Sequence, residues 1–256
     1  MFFLAAMAGN VQEVEEILRN NPTLDVNWSN ENEKGSTALN IACDRVHDSI
    51  VSILLAHPDI DVNQKDINGW TPFNIACLNG FTSCVRLLLK DSRVMVNEPT
   101  YHGSTPLYSA SFKGHLDVIK WWIASGREMD LGTPGQRQSD AIGVAKKYGE
   151  TEVATLLERF KENPVETRDE IRHELGINGQ SDHPLFVLGP TRLTPLFLTW
   201  VDFPVSAPPK LTREQFLAFL DGKSLDQIVT PAPPNLCGHP ARKGLPPCSH
   251  RCPESR

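Results

Sequence analysis

Two apolar rhythms alternate along the first 160 residues. Three segments align without gaps: Gly35-Ser-Thr-Ala-Leu-Asn-Ile-Ala42-Cys43, Gly69-Trp-Thr-Pro-Phe-Asn-Ile-Ala76-Cys77 and Gly103-Ser-Thr-Pro-Leu-Tyr-Ser-Ala110-Ser111. Each is followed by a denser run: Ile50-Val51-Ser-Ile53-Leu54-Leu55, Cys84-Val85-Arg-Leu87-Leu88-Leu89 and Val118-Ile119-Lys-Trp121-Trp122-Ile123. Weaker copies flank them. One runs from Ala5-Ala6 to Ile17-Leu18, the other from Ala141-Ile142 to Leu156-Leu157. The equivalent alanines are Ala5, Ala42, Ala76, Ala110 and Ala145, spaced by 37, 34, 34 and 35 residues.

Each unit predicts two helices of roughly 8–10 residues, too short to be stable alone in water. Thr71-Pro72 and Thr105-Pro106 start the first helix, with threonine as cap and proline where its missing N–H does no harm. Gly80 and Gly114 end that helix. Asn68-Gly69 and His102-Gly103 predict hairpin tips between units. Such units gain stability only by stacking. Polar outer positions mark the ends as caps: Gln12, Glu13, Glu15 and Glu16 in the first unit, Lys146, Lys147, Glu150 and Glu152 in the last.

A period near 33, Gly-x-Thr-Pro-Leu, a Val-x-Leu-Leu run and a closing Asp-Val-Asn together resemble the ankyrin repeat. The triplet stands at Asp25-Val26-Asn27 and Asp61-Val62-Asn63, and as Met95-Val96-Asn97. The resemblance implies an all-α ankyrin-repeat solenoid of about five helix-pair units with short hairpin loops over residues 1–160. The units are an N-terminal cap 2–27, then 28–63, 64–97 and 98–131, and a C-terminal cap 132–160. Some positions depart from the pattern. Asn40, Asn74 and Tyr108 replace the usual histidine, which puts the hydrogen bonds made there in question, and Val46 replaces the helix-ending glycine. With Pro22 and Pro58 also inserted, a slightly irregular array of modest stability is expected.

The resemblance further implies a protein–protein interaction module. Its concave face and hairpin tips would carry the contacts. Transferred residue by residue, these are Lys34, Arg45, Lys65, Asn68, Trp70, Asn79, Tyr101, His102, Tyr108, Phe112 and Lys113. Exposed aromatics suit contact hot spots, although Trp70 and Phe112 would equally pack on a neighbouring unit. At least one of Trp121 and Trp122 belongs in the core. Asn27, Asn63 and Asn97 match a position hydroxylated in some family members.

Charge narrows the function. Residues 1–160 carry 14 Lys and Arg against 20 Asp and Glu, and the whole chain is −6, which disfavours a general nucleic-acid binder. No run of about 18 apolar residues predicts a membrane span. The apolar start, Met1 to Ala8, lacks the basic residues of a signal peptide. Sparse cysteines, with Cys43, Cys77 and Cys84 inside apolar patterns, predict reduced thiols in a cytoplasmic or also nuclear protein. A monomer is expected, with another protein as partner and no cofactor, membrane or nucleic acid. There is no phosphate loop, nucleophile elbow or metalloprotease helix, so no enzyme is expected from the array.

Beyond residue 160 the repeat stops. Thr167–Leu175 predicts a short charged helix ended by Gly176, with His173 in solvent, and 161–180 reads as helix and linker. Thirteen of the 20 prolines fall in 181–256, predicting a largely irregular tail. Within it, Thr212-Arg-Glu-Gln215 forms a capping-box pattern before Phe216-Leu217-Ala-Phe219-Leu220. One amphipathic helix near 212–221 is therefore expected, docked on the array or on a partner. Cys237, His239, Cys248, His250 and Cys252 supply the alternative function, a zinc-binding or enzymatic C-terminal segment for which the array is a targeting arm.

Overall fold

The computed structural model describes residues 1–136, 138–177 and 211–223. Ten helices form two layers. The first holds α1 (Phe2–Ala8), α3 (Ala38–Asp44), α5 (Pro72–Asn79), α7 (Pro106–Phe112) and α9 (Ala141–Tyr148). The second holds α2 (Val11–Asn20), α4 (Asp48–Ala56), α6 (Thr82–Lys90), α8 (Leu116–Ser125) and α10 (Thr151–Glu162). Every helix packs on the preceding helix of its own layer and on its partner in the unit. The outcome is an all-α stack with almost no strand. Ser29–Asn30 (β1) and Ser36–Thr37 (β2) pair antiparallel across a 3-10 turn at Glu31–Glu33.

Side-chain size explains the close first layer. Ala42, Cys43, Ala76, Cys77, Ala110 and Ser111 are all fully buried. Thr37, Thr71 and Thr105 cap α3, α5 and α7 through their hydroxyls, and Pro72 and Pro106 open the last two. Trp122 is fully buried, edge-on to Phe73 with ring centroids 5.0 Å apart. Trp121 is half-buried under the Arg86 guanidinium, 4.0 Å from its ring centre.

The replaced histidines do not break the seams. Asn74, fully buried, donates from Nδ2 to the Glu98 carbonyl at 2.8 Å. Asn40 donates in the same way to the Trp70 carbonyl at 3.4 Å. A shorter amide thus reaches the next hairpin where a histidine was expected, and only Tyr108 leaves the scheme. A second seam follows the Asp-Val-Asn position. Asn27 donates to Asp59 O at 2.7 Å and accepts from Asp61 N at 2.8 Å. Asn63 repeats this with Arg93 O and Met95 N, and Asn97 with Glu128 O and Asp130 N.

The end of the first helix shows where the array is irregular. Gly9, Gly80, Gly114 and Gly149 all have φ between 71° and 81° there, and Val46 has φ 60°. A β-branched residue in that region is strained. Glycine is also needed where the next unit leans in: a Cβ on Gly80 would lie 2.5 Å from the His115 ring. His115 Nε2 bonds the Leu78 carbonyl at 2.9 Å, and His47 Nε2 the Met7 carbonyl at 3.2 Å. In the unit between them the corresponding residue is Phe81, whose ring has no nitrogen to make such a bond.

Two further helices finish the ends. At the C-terminal end, α11 (Pro164–Glu174) starts three residues earlier than its charge pattern suggests, because Pro164 takes the first helical position. It packs on α8 and α10 and buries Thr167 and Ile171. Arg168 and Arg172 donate to the Ile123 and Ala124 carbonyls at 3.2 and 2.8 Å. This closes the end of α8 as Arg93 closes α4 and Arg127 closes α6. His173 is exposed.

At the other end, α12 (Arg213–Leu220) lies against α2, with both halves of the capping box formed. It buries Leu211, Phe216 and Leu220. The first unit is therefore covered there, not a fully solvated cap. Residues 178–210 and 224–256, with all five candidate zinc ligands, lie outside the described residues.

Candidate functional site

Two rows of side chains lie outside the buried core. The first follows the hairpin tips. Consecutive tips join backbone to backbone: Ile67 N–H to Lys34 O at 2.9 Å, and Tyr101 N–H to Asn68 O at 3.2 Å. Gly69 (φ 83°) permits this, since a Cβ there would lie 2.4 Å from Tyr101 N and 2.8 Å from its ring. Ile67 and Tyr101 are each 66% exposed, an unusual state for such side chains. Lys34 and His102 are also exposed. Lys65 is less free. It pairs with Glu98 at 2.7 Å and lies 5.3 Å from the Tyr101 ring centre. Asn68 is half-buried.

The second row follows the C-terminal ends of the first-layer helices. Arg45, Asn79 and Lys113 are exposed at one register, one per unit. Asp44 sits among them, 3.8 Å from Arg45 Nε and accepting from Asn79 Nδ2 at 3.3 Å. Tyr148, 52% exposed, occupies the same register in the last unit. Sequence reasoning missed it by treating that unit as a polar cap. The signal was available, since Tyr148 follows Ala145 by the same three positions that separate Lys113 from Ala110. Tyr148 meets Phe112 edge to face, centroids 4.6 Å apart, with Lys113 and Lys147 at 5.3 and 5.5 Å from the two rings.

Trp70 and Tyr108 are half-buried, so they stand between the contact and packing alternatives. Trp70 is held at its backbone, its N–H donating to Asp66 Oδ1 at 2.8 Å.

This arrangement has little to offer covalent chemistry. Cys43, Cys77 and Cys84 are buried free thiols. The Cys43 thiol is pushed well up by its hydrogen bond with Cys84 and then by burial, and Cys77 by burial. A protonated thiol is a poor nucleophile and a poor metal ligand. Among the described residues no group of three or more His, Cys, Asp or Glu is arranged to hold a metal. Nor does any helix there have the length and apolar character to cross a membrane.

Family models confirm what the stack implies. One for ankyrin repeats in many copies matches residues 17–76, and one for three ankyrin copies matches residues 58–133. Residues 17–133 are ankyrin repeats. Ankyrin repeats serve generally as protein–protein interaction modules, and the family is typically non-enzymatic. No curated protein matches the chain by sequence. The two matches together span the complete central units and omit most of both ends, where the ankyrin pattern is weakest.

Proposed function

We propose that the chain binds a partner protein along the concave side of its ankyrin array, through the hairpin tips and the first-layer helix ends. One observation carries this reading. Side chains at a single register in four successive units, Arg45, Asn79, Lys113 and Tyr148, are exposed and contribute nothing to the core. Large rigid aromatics, tyrosine among them, are typical of residues that dominate interfaces. Tyr101, Phe112 and Tyr148 with Lys65, Lys113 and Lys147 form such a set in the C-terminal half. The N-terminal half is more mixed, with Glu31, Glu33 and Asp44 beside Lys34 and Arg45. A partner laid along the array therefore meets a change of charge from one end to the other.

The experiment compares proteins cross-linked to the full chain with those cross-linked to Tyr101→Ala/Lys113→Glu/Tyr148→Ala. Glu152→Ala/Thr155→Ala, on exposed α10 positions, is the control. The triple variant loses a specific partner that the control keeps, with affinity reduced tenfold or more. Retention of every partner by the triple variant refutes the reading.

A further inference from the structure

The last described helix occupies a surface remote from those two rows. Its seat is built by the first two units. Arg19, on α2, donates to the Leu220 carbonyl at 3.1 Å and reaches the Asp221 carboxylate at 3.4 Å. The Pro22 carbonyl accepts from Arg213. The His57 ring, itself buried, meets the Phe216 ring edge to face with centroids 4.7 Å apart. Phe216 is almost fully buried at the centre, with Leu211 and Leu220 to either side.

We propose that this seat is a helix-recognition site, and that α12 is its internal ligand, displaced by a partner's amphipathic helix of the same pattern. The pattern is arginine at the first helical position, phenylalanine three residues on and leucine four beyond that, behind a Ser/Thr cap. These positions share one helix face, the way a ligand helix lies in a groove.

Three features make α12 an exchangeable occupant. It has eight helical residues, too few to be helical without its seat. Its footing is three buried apolar side chains, the half-buried Leu217 and Phe219, and contacts from Arg19 and Arg213, neither of which is buried. And 33 residues, 178–210, separate it in the sequence from the end of the described array. A helix from outside competes with a copy carried on the same chain. The proposal concerns the second layer and stands independently of the concave-side reading.

The test uses the full chain and a fluorescein-labelled peptide copying residues 211–223. Phe216→Asp removes the anchor of α12 and leaves the seat intact. The peptide binds this variant at least tenfold more tightly than the unaltered chain, and Arg19→Glu added to the variant abolishes binding. Arg213→Glu, which loosens α12 without exposing new apolar surface, gives a smaller gain in the same direction. Amides of residues 14–20 and 57–61 exchange faster in Phe216→Asp. If exchange rises but the peptide binds neither protein, α12 is a fixed clasp and the proposal is overturned. Equal binding to both proteins, or binding indifferent to Arg19→Glu, overturns it too.

Discussion

The two added helices close opposite ends of the array in different ways. α11 follows α10 at once and lays two arginines on the open carbonyls of α8, continuing a scheme that Arg93 and Arg127 run within the repeats. It is part of the stack in all but sequence. α12 comes from far along the chain, meets α2, the Pro22 carbonyl and His57, and continues no repeating contact. Stacked arrays share their stability between neighbours. A helix wired into the seams shares in that cooperativity, and one resting on the side opens by itself.

The largest effect expected from this contrast is at α11. Ile171 is 1% exposed, and Ile171→Ala lowers the global unfolding free energy by about 2–5 kcal/mol, as for a core residue. Urea unfolding checks it. Phe216→Ala is the counterpart. A phenylalanine in a cooperative core would lose about 3–5 kcal/mol, but release of α12 sets a ceiling. The measured global loss stays under about 2 kcal/mol, with the difference seen as local hydrogen exchange. Equal losses at both ends would erase the contrast.

Val46→Gly, in the unit between, works in the opposite direction. It removes a β-branched residue from left-handed backbone at φ 60° and raises stability by about 1 kcal/mol. Thermal unfolding reads this. If exchange at α12 stays unchanged while the midpoint rises, α12 is uncoupled from the stack.

The smallest effect is that of mildly acid pH on α12. Burial pulls the His57 pKa below its ordinary 6.5, against Asp59, which raises it, and together with Arg213, which lowers it. The Nδ1 atom already accepts from the Asp59 N–H at 3.2 Å. Above pH 6.5 both docked and released states hold the ring neutral, and docking has its full strength. As the pH falls, the released state takes up the proton first, so docking weakens. NMR titration of the Phe216 ring signals follows it, and His57→Gln removes the dependence.

The units were readable because their chemistry is local. Thr-Pro openings, Ala-Cys pairs and Asn-Gly tips each act within a few residues, and five copies in register leave no competing period. What escaped was contact between distant parts. The capping box at Thr212 and the apolar run after it predicted α12, yet nothing in that run names Arg19, Pro22 or His57 as its seat. The hydrogen bonds of Asn40 and Asn74 escaped for a related reason. Their acceptors are carbonyls 24 to 30 residues onward, visible only once the units are stacked. In α11 a single isoleucine among charges hid the buried face.

The asparagine seam has a chemical consequence of its own. Each of Asn27, Asn63 and Asn97 holds a carbonyl with one end of its amide and an N–H with the other. Spontaneous loss of ammonia would turn that two-sided group into a carboxylate, which repels the carbonyl it used to hold. Slow ageing of the protein would thus unpick its back edge joint by joint, with no change in the hydrophobic core.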